Sequence, residues 1–469
     1  MNTLVLIVLL GWIPAVVLVF SALQPRRAVM VSFLTAWLFL PIASYRLPLF
    51  PDYTKMFATS VGVLLGAAIF DSRRLLGFRL KWFDLPMTAW CVCPILSSVA
   101  NGLGAYDGIS GTMSNIVTWA VPYFIGRVYF TDRESFRELA MGIFIGGLVY
   151  VPFCLFEIRM SPKLHHILYG YHQQIFSQSI RGGGWRPMVF MEHGLMVSSW
   201  MASASLVGYW LWLTGAVKRI GGVQIGWLLV LLLLTTIACK SLGAVLLLAV
   251  GAATLTAARW FRAGSLVGVL LLIPVAYIGL RTTGMWEGSH VVRTVAELFS
   301  EDRAQSLQYR FYNETMLIDR ALQRPLLGWG GWDRNEITDE YGEKQSVVDG
   351  LWIVTLGKYG CIGLFCLYGV LLTAPARVWL GWNGARWGQT SSAASASLAI
   401  LVILYAIDCL PNGKNPFFML CSGALAAVPR KAHELNQTNS LSTSVATHPL
   451  APQRRMWPTA SKNLSQNRS

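Results

Sequence analysis

The chain has 469 residues, of which 54% are hydrophobic and only 13% charged, about half the charged share usual in a soluble globular protein. Its formal net charge is +15, but no nucleic-acid motif accompanies that charge. The apolar residues recur in runs of about 17–25, the length an α-helix needs to cross a hydrocarbon core. This excludes a soluble domain and predicts an all-α fold: a polytopic transmembrane helix bundle of about 12–13 spans with two extended extracytoplasmic loops.

Candidate spans fall at about 3–20, 27–44, 56–70, 84–99, 113–130, 138–156 and 188–214. They continue at about 223–239, 241–258, 264–281, 349–374, 392–408 and 415–428. The first run has no positively charged segment ahead of it and no small-residue cleavage site, so it reads as a retained helix. The eight cysteines all lie in or at the ends of spans, which argues against a disulfide framework, and Cys91-Val-Cys93 lacks metal-ligand spacing.

Lys and Arg collect in alternate short loops, at Arg26–Arg27, Arg73–Lys81, Arg127–Arg137, Lys218–Arg219, Arg259–Arg262 and Arg377–Arg386. The positive-inside rule makes those loops cytoplasmic, the N-terminus external and the C-terminus cytoplasmic. The same rule splits residues 223–258 into two helices with a tight outer turn near Lys240. Two long loops, about 158–187 and 282–348, then lie outside; the second carries seven Lys/Arg against eleven Asp/Glu. Residues 1–428 form the membrane domain, and residues 429–469, rich in Ser, Thr, Asn and Gln, read as a disordered basic cytoplasmic tail.

The inner loops hold no phosphate-binding Gly-x-x-x-x-Gly-Lys-Ser/Thr loop and no Asp-x-Asp pair, so the candidate chemistry sits outside. Arg181-Gly-Gly-Gly-Trp-Arg186-Pro closes the first long loop. Glu192 and His193 follow, expected about one turn into the next span, where ionisable groups are costly and mark function by default; the bland alternative is mutual pairing at headgroup level. Lys240, at the outer turn, is by itself best read as a snorkelling lysine. In the second loop, Leu307, Phe311, Ile318 and Leu322 recur at helical spacing until Pro325 stops the pattern. Arg310 and Glu314 lie four apart there, so a surface ion pair between them is the simple reading. Asp349 opens the following span, where a carboxylate calls for a cationic partner or a proton-transfer role.

Four pieces in order resemble the O-antigen ligase and O-antigen polymerase superfamily of bacterial membrane glycosyltransferases, over about residues 110–375. They are Val121-Pro-Tyr-Phe-Ile-Gly-Arg127; Arg186 leading into a span; Leu234-Thr-Thr-Ile-Ala-Cys-Lys240-Ser-Leu-Gly-Ala; and Tyr309-Arg310 through Arg324-Pro-Leu-Leu-Gly-Trp-Gly330 to Asp349 and Lys358-Tyr-Gly-Cys-Ile-Gly363. The chain departs from the pattern at Asp349, where the ligases usually carry histidine, and at Lys240, where they carry arginine. The resemblance implies a multi-pass protein of the bacterial inner membrane that moves a glycan from a polyprenyl diphosphate to an acceptor hydroxyl on a glycan, lipid or protein. No metal, nucleotide or other cofactor is implied. Arg186, Arg310 and Lys240, with Arg181 as a weaker candidate, would hold the diphosphate. Asp349 would act as base, with Glu192 or His193 as second choices. The alternative is a polysaccharide or lipid transporter or flippase without transferase activity, against which stand the absence of an internal repeat and the clustering of charge at one face.

Overall fold

The computed structural model describes residues 3–47, 50–298, 301–341, 343–346, 349–413 and 416–428. The tail expected over 429–469 lies outside the described residues. The first half contains α1 (Thr3–Ala22), α2 (Pro25–Phe39), α3 (Lys55–Phe70), α4 (Ser72–Leu76), α5 (Leu85–Ala100), α6 (Ala105–Asn115), α7 (Val121–Tyr129), α8 (Arg133–Met160) and α9 (Leu164–Tyr169). The second half contains α10 (Gly194–Leu213), α11 (Ile225–Ala238), α12 (Leu242–Trp260), α13 (Ser265–Thr282), α14 (Ser289–Leu298) and α15 (Glu301–Leu322). It ends with α16 (Leu351–Gly381), α17 (Gly384–Trp387), α18 (Ala393–Asp408) and α19 (Met419–Ala426). Among the described residues, strands occur only as three two-residue antiparallel hairpins: β1–β2 (44–45 with 53–54), β3–β4 (180–181 with 184–185) and β5–β6 (219–220 with 223–224).

The protein is a membrane-type helical bundle. Seven described helical segments are long and apolar enough to cross a bilayer, and α3 and α11 are shorter apolar helices. α18 is the core of the bundle: every residue from Ala393 to Asp408 except Ile407 is buried. A helix apolar on all sides belongs inside a bundle. α10 packs against it with α8, α11 and α12 around. Small residues set the closest approaches, as expected where apolar lipid offers no hydrophobic drive between helices. Gly62 and Gly66 of α3 face Val16 and Phe20 of α1, while Gly126 of α7 and Gly423 of α19 each meet the other helix's backbone.

The turn expected near Lys240 is present: α11 ends at Ala238, α12 begins at Leu242, and Lys240 takes a left-handed φ of 55°. The expected span 113–130 lies within one continuous helical stretch, residues 105–129, formed by α6, a π-helical segment Ile116–Ala120 and α7. The first long loop carries α9 and the second α14 and α15; α15, with 22 residues, realises the expected amphipathic helix.

The two ends of α8 differ in chemistry. Near its start, Glu138 pairs with Arg26 and Arg27. Its far end, about 42 Å away for 28 residues at 1.5 Å each, carries Glu157 and the segment leading to Arg186. That far end is also where α2 stops, and the first long loop caps it: Tyr169 and Tyr171 donate their hydroxyls to the carbonyls of Phe39 and Ile42, and Ile42 N–H donates to His165 Nε2. The bond to Phe39 satisfies one orphan carbonyl of the helix end, and Lys55 and Tyr150 take those of Trp37 and Leu38.

Candidate functional site

Arg186 is 5% exposed, and a buried carboxylate fixes the backbone that carries it. Glu157 Oε2 accepts from Met188 N–H (2.8 Å) and Val189 N–H (2.7 Å), and its Oε1 accepts from Leu164 N–H (2.9 Å). Gln173 donates to Val189 O, and Val189 is held in the left-handed region at φ 50°. Space for the Arg186 stem comes from Gly194, the first residue of α10, where an added Cβ would lie 2.5 Å from Arg186 Cδ.

The guanidinium so placed makes no ion pair among the described residues. Its Nε is buried and has no hydrogen-bond partner among the described residues. Burial, first, and then the positive charges of Arg181 and Arg310 pull its pKa down to about 10, which still leaves it cationic at neutral pH. An unpaired buried cation is costly, and buried donors are otherwise almost always satisfied.

Arg181 ends β3 and Arg186 directly follows β4 in the hairpin that Lys240 straps in place. The Lys240 ammonium donates to the carbonyls of Arg181 and Gly182, each at 3.2 Å. An ammonium has three donors, so two are spent on the hairpin. The contact needs Gly184, because any Cβ there would collide with Lys240 Nζ. Lys240 is thus primarily a positioning group, and Arg181 is exposed at the hairpin.

Arg310 approaches from α15. It faces Asp349 Oδ2 at 3.5 Å and donates to Asn412 Oδ1 at 3.3 Å. Asn412 donates to Asp408 Oδ1 (3.0 Å), whose other oxygen accepts from Ser199 of α10 (2.8 Å). Asp349, two residues ahead of α16, has its pKa raised by burial against the lowering pull of Arg310.

The i, i+4 ion pair between Arg310 and Glu314 does not form. Glu314 is buried and accepts from Tyr277 Oη (2.7 Å), Arg281 Nε (3.1 Å) and Trp352 Nε1 (3.3 Å). Arg281 also donates to the carbonyls of Phe311 and Trp286. This network nails α15 onto α13 and α16 and frees Arg310 to turn toward Asp349.

Glu192 and His193 are not inside a helix, contrary to expectation. α10 begins only at Gly194, and His193 is its N-cap, with Nδ1 accepting from Leu195 N–H. The reason is that Glu157 and Tyr150 take up the N–H groups of residues 188–190 and hold that stretch non-helical. Glu192 lies close enough to the buried Lys55 ammonium to interact with it electrostatically.

The turn at 325–330 inserts into a break in α16. Gly360 leaves helical geometry (φ 65°, ψ −165°). Trp329 and Gly330 donate to the carbonyls of Gly357 and Lys358, and Cys361 and Ile362 donate to those of Pro325 and Leu326. Side chains at Gly328 or Gly360 would collide with the facing backbone, so the glycines noted in the sequence are there for close approach. Beyond this junction lies a polar cavity of about 240 Å³, lined in part by Asp52, Ser98, Asp107, Ser110, Ser114 and Trp332. Trp332 Nε1 and Arg334 both reach Asp107.

The structure therefore brings Arg181, Arg186, Lys240, Arg310 and Asp349 to one end of the bundle, and separates Glu192 and His193 into supporting positions. Sequence reasoning missed Glu157, Asn412 and Asp408. Asp408 and Glu157 were findable, being carboxylates at the ends of apolar runs; Asn412 carried no such signal. Comparison with known proteins finds no family model and no curated protein that matches this chain.

Proposed function

We propose that this end of the bundle binds the diphosphate of a polyprenyl-diphosphate-linked glycan and transfers the glycan to an acceptor hydroxyl, as in the O-antigen ligase and polymerase superfamily that the sequence resembles. The carrying observation is Arg186: a buried guanidinium with no carboxylate partner among the described residues, beside Arg181 and Arg310. In this reading the acceptor oxygen attacks the anomeric carbon and the bond from that carbon to the diphosphate oxygen breaks. The leaving diphosphate keeps the electron pair, and the hydroxyl proton passes to Asp349. Arginine forks suit phosphate geometry, and preorganised cations at a partly dry site stabilise the charge that grows on the leaving group. Lys240 and Gly184 hold the hairpin; the polar cavity beside Trp332 offers hydroxyl and carboxylate partners for an acceptor sugar. About 12–13 spans, the inner membrane of a bacterium, an external site and a cytoplasmic C-terminus belong to the same proposal.

The test is reconstitution. Purified protein in proteoliposomes, given a polyprenyl-diphosphate glycan and acceptor, should form product, and Arg186→Gln or Arg310→Gln should abolish it while the protein still inserts. Movement of the lipid between leaflets with no product would reject transfer in favour of transport.

A further inference from the structure

A second cavity shares none of its lining residues with the proposed site. It has a volume of about 600 Å³, within the roughly 300–1,000 Å³ range of ligand pockets, and lies between α3, α5, the π-helical segment and α7. Its floor includes Cys91, Ala120 and Ile125, all buried, and its rim includes Leu64, Leu80 and Ile116, all exposed. The rim carries the α4 connection, residues 71–81, which mixes apolar and basic residues. Leu75, Phe78 and Leu80 line the cavity, while Arg73, Arg79 and Lys81 are exposed and make no ion pair among the described residues. The neighbouring carboxylates are engaged: Asp71 with Arg74 at 3.8 Å, and Asp84 with Arg127 (3.0 Å) and Tyr123 (2.9 Å). Trp82, also exposed, adds the amphipathic ring that favours a membrane–water boundary. The π-helical segment departs from regular helix at the cavity wall, a distortion frequent at functional sites.

We infer that this cavity takes an acyl chain of an anionic phospholipid whose headgroup sits among Arg73, Arg79 and Lys81. The apolar interior suits a hydrocarbon occupant, and three cations in the connection that forms its rim, without ion pairs among the described residues, suit an anion tethered to it. A basic cluster at a membrane surface attracts anionic lipid by an increment for each charge. The inference is independent of the transfer chemistry, since neither the cavity nor the cations belong to that site.

The experiment is native mass spectrometry of protein equilibrated in detergent with equal amounts of phosphatidylglycerol and phosphatidylcholine. The wild type should retain phosphatidylglycerol preferentially, and retention should fall as salt is raised. The triple change Arg73→Gln, Arg79→Gln, Lys81→Gln should cut that preference by about tenfold or more. Thr88→Trp, on the cavity wall, should reduce retention of both lipids. Phosphatidylglycerol carrying a photoreactive acyl chain should label residues 64–80 or 116–128 of the unaltered protein, a readout that needs no variant to fold. Equal retention of the two lipids by the wild type, undiminished preference in the triple variant, or labelling elsewhere would each overturn the assignment.

Discussion

Replacing Arg186 by methionine should make the empty protein more stable and the working protein inactive. Methionine keeps an unbranched stem to pack against Gly194 while removing the charge. In the wild type, the buried Nε donor is unsatisfied, which costs about 1–3 kcal/mol, and two neighbouring arginines add repulsion. No ion pair is lost in exchange among the described residues. The expected result is a gain of about 1–3 kcal/mol in the ligand-free state, read as a higher melting temperature in detergent. Inorganic diphosphate should raise the melting temperature of the wild type and not that of the variant. Loss of a preorganised group of this kind typically costs about 10²–10³ in turnover. A variant that melts lower than wild type without ligand would show that the guanidinium has a structural partner and would refute the reasoning.

The buried Glu314 network should behave in the opposite way: Glu314→Gln leaves Arg281 buried without its counter-charge, at a cost of about 3–5 kcal/mol, and limited proteolysis should then cut within α15. Survival of α15 at wild-type rates would mean that other contacts dock it. Gly184→Ala should displace Lys240 from the hairpin carbonyls and weaken diphosphate protection of Arg181 from an arginine-modifying reagent, with little effect on insertion; unchanged protection would remove Lys240 from the site. His165 is held neutral, its pKa lowered to about 4, mainly by burial and then by the charges of Lys55, His172 and His166. Because the folded value lies below the ordinary 6.5, its contribution is present above pH 6.5 and is lost as pH falls toward 4. Hydrogen exchange over residues 161–173 should accelerate in that window in wild type and not in His165→Gln.

The helices were legible because lipid forces every apolar run of sufficient length to satisfy its own backbone; the α11–α12 turn at Lys240 followed from charge alone. Interruptions of helices were not legible where a distant side chain causes them. Residues 188–193 look like the start of a span, yet Glu157, some 30 residues earlier, captures the N–H groups of Met188 and Val189, and Tyr150 that of Phe190. The pairing of Arg310 failed for the same reason: local spacing favoured Glu314, worth only a few tenths of a kcal/mol on an exposed helix, while a buried pair with Arg281 decides the outcome. The glycines at 328, 330 and 360 were visible as a pattern, but only the inserted turn explains them.

If the site transfers a glycan as proposed, the pairing of Arg310 with Asp349 should couple donor binding to base strength. At 3.5 Å the guanidinium favours the ionised carboxylate and so weakens it as a base. A diphosphate seated at Arg186 competes for Arg310 and adds negative charge nearby, and both effects raise the proton affinity of Asp349. The base would then strengthen only when the donor is in place. Since kcat/KM reports the free enzyme and kcat the complex, the acidic limb of kcat should fall at higher pH than that of kcat/KM. Arg310→Lys, which keeps the charge but loses the fork, should narrow the gap. Acidic limbs that coincide, or appear in reversed order, would show that Asp349 does not sense the donor through Arg310, and the base would have to be sought elsewhere.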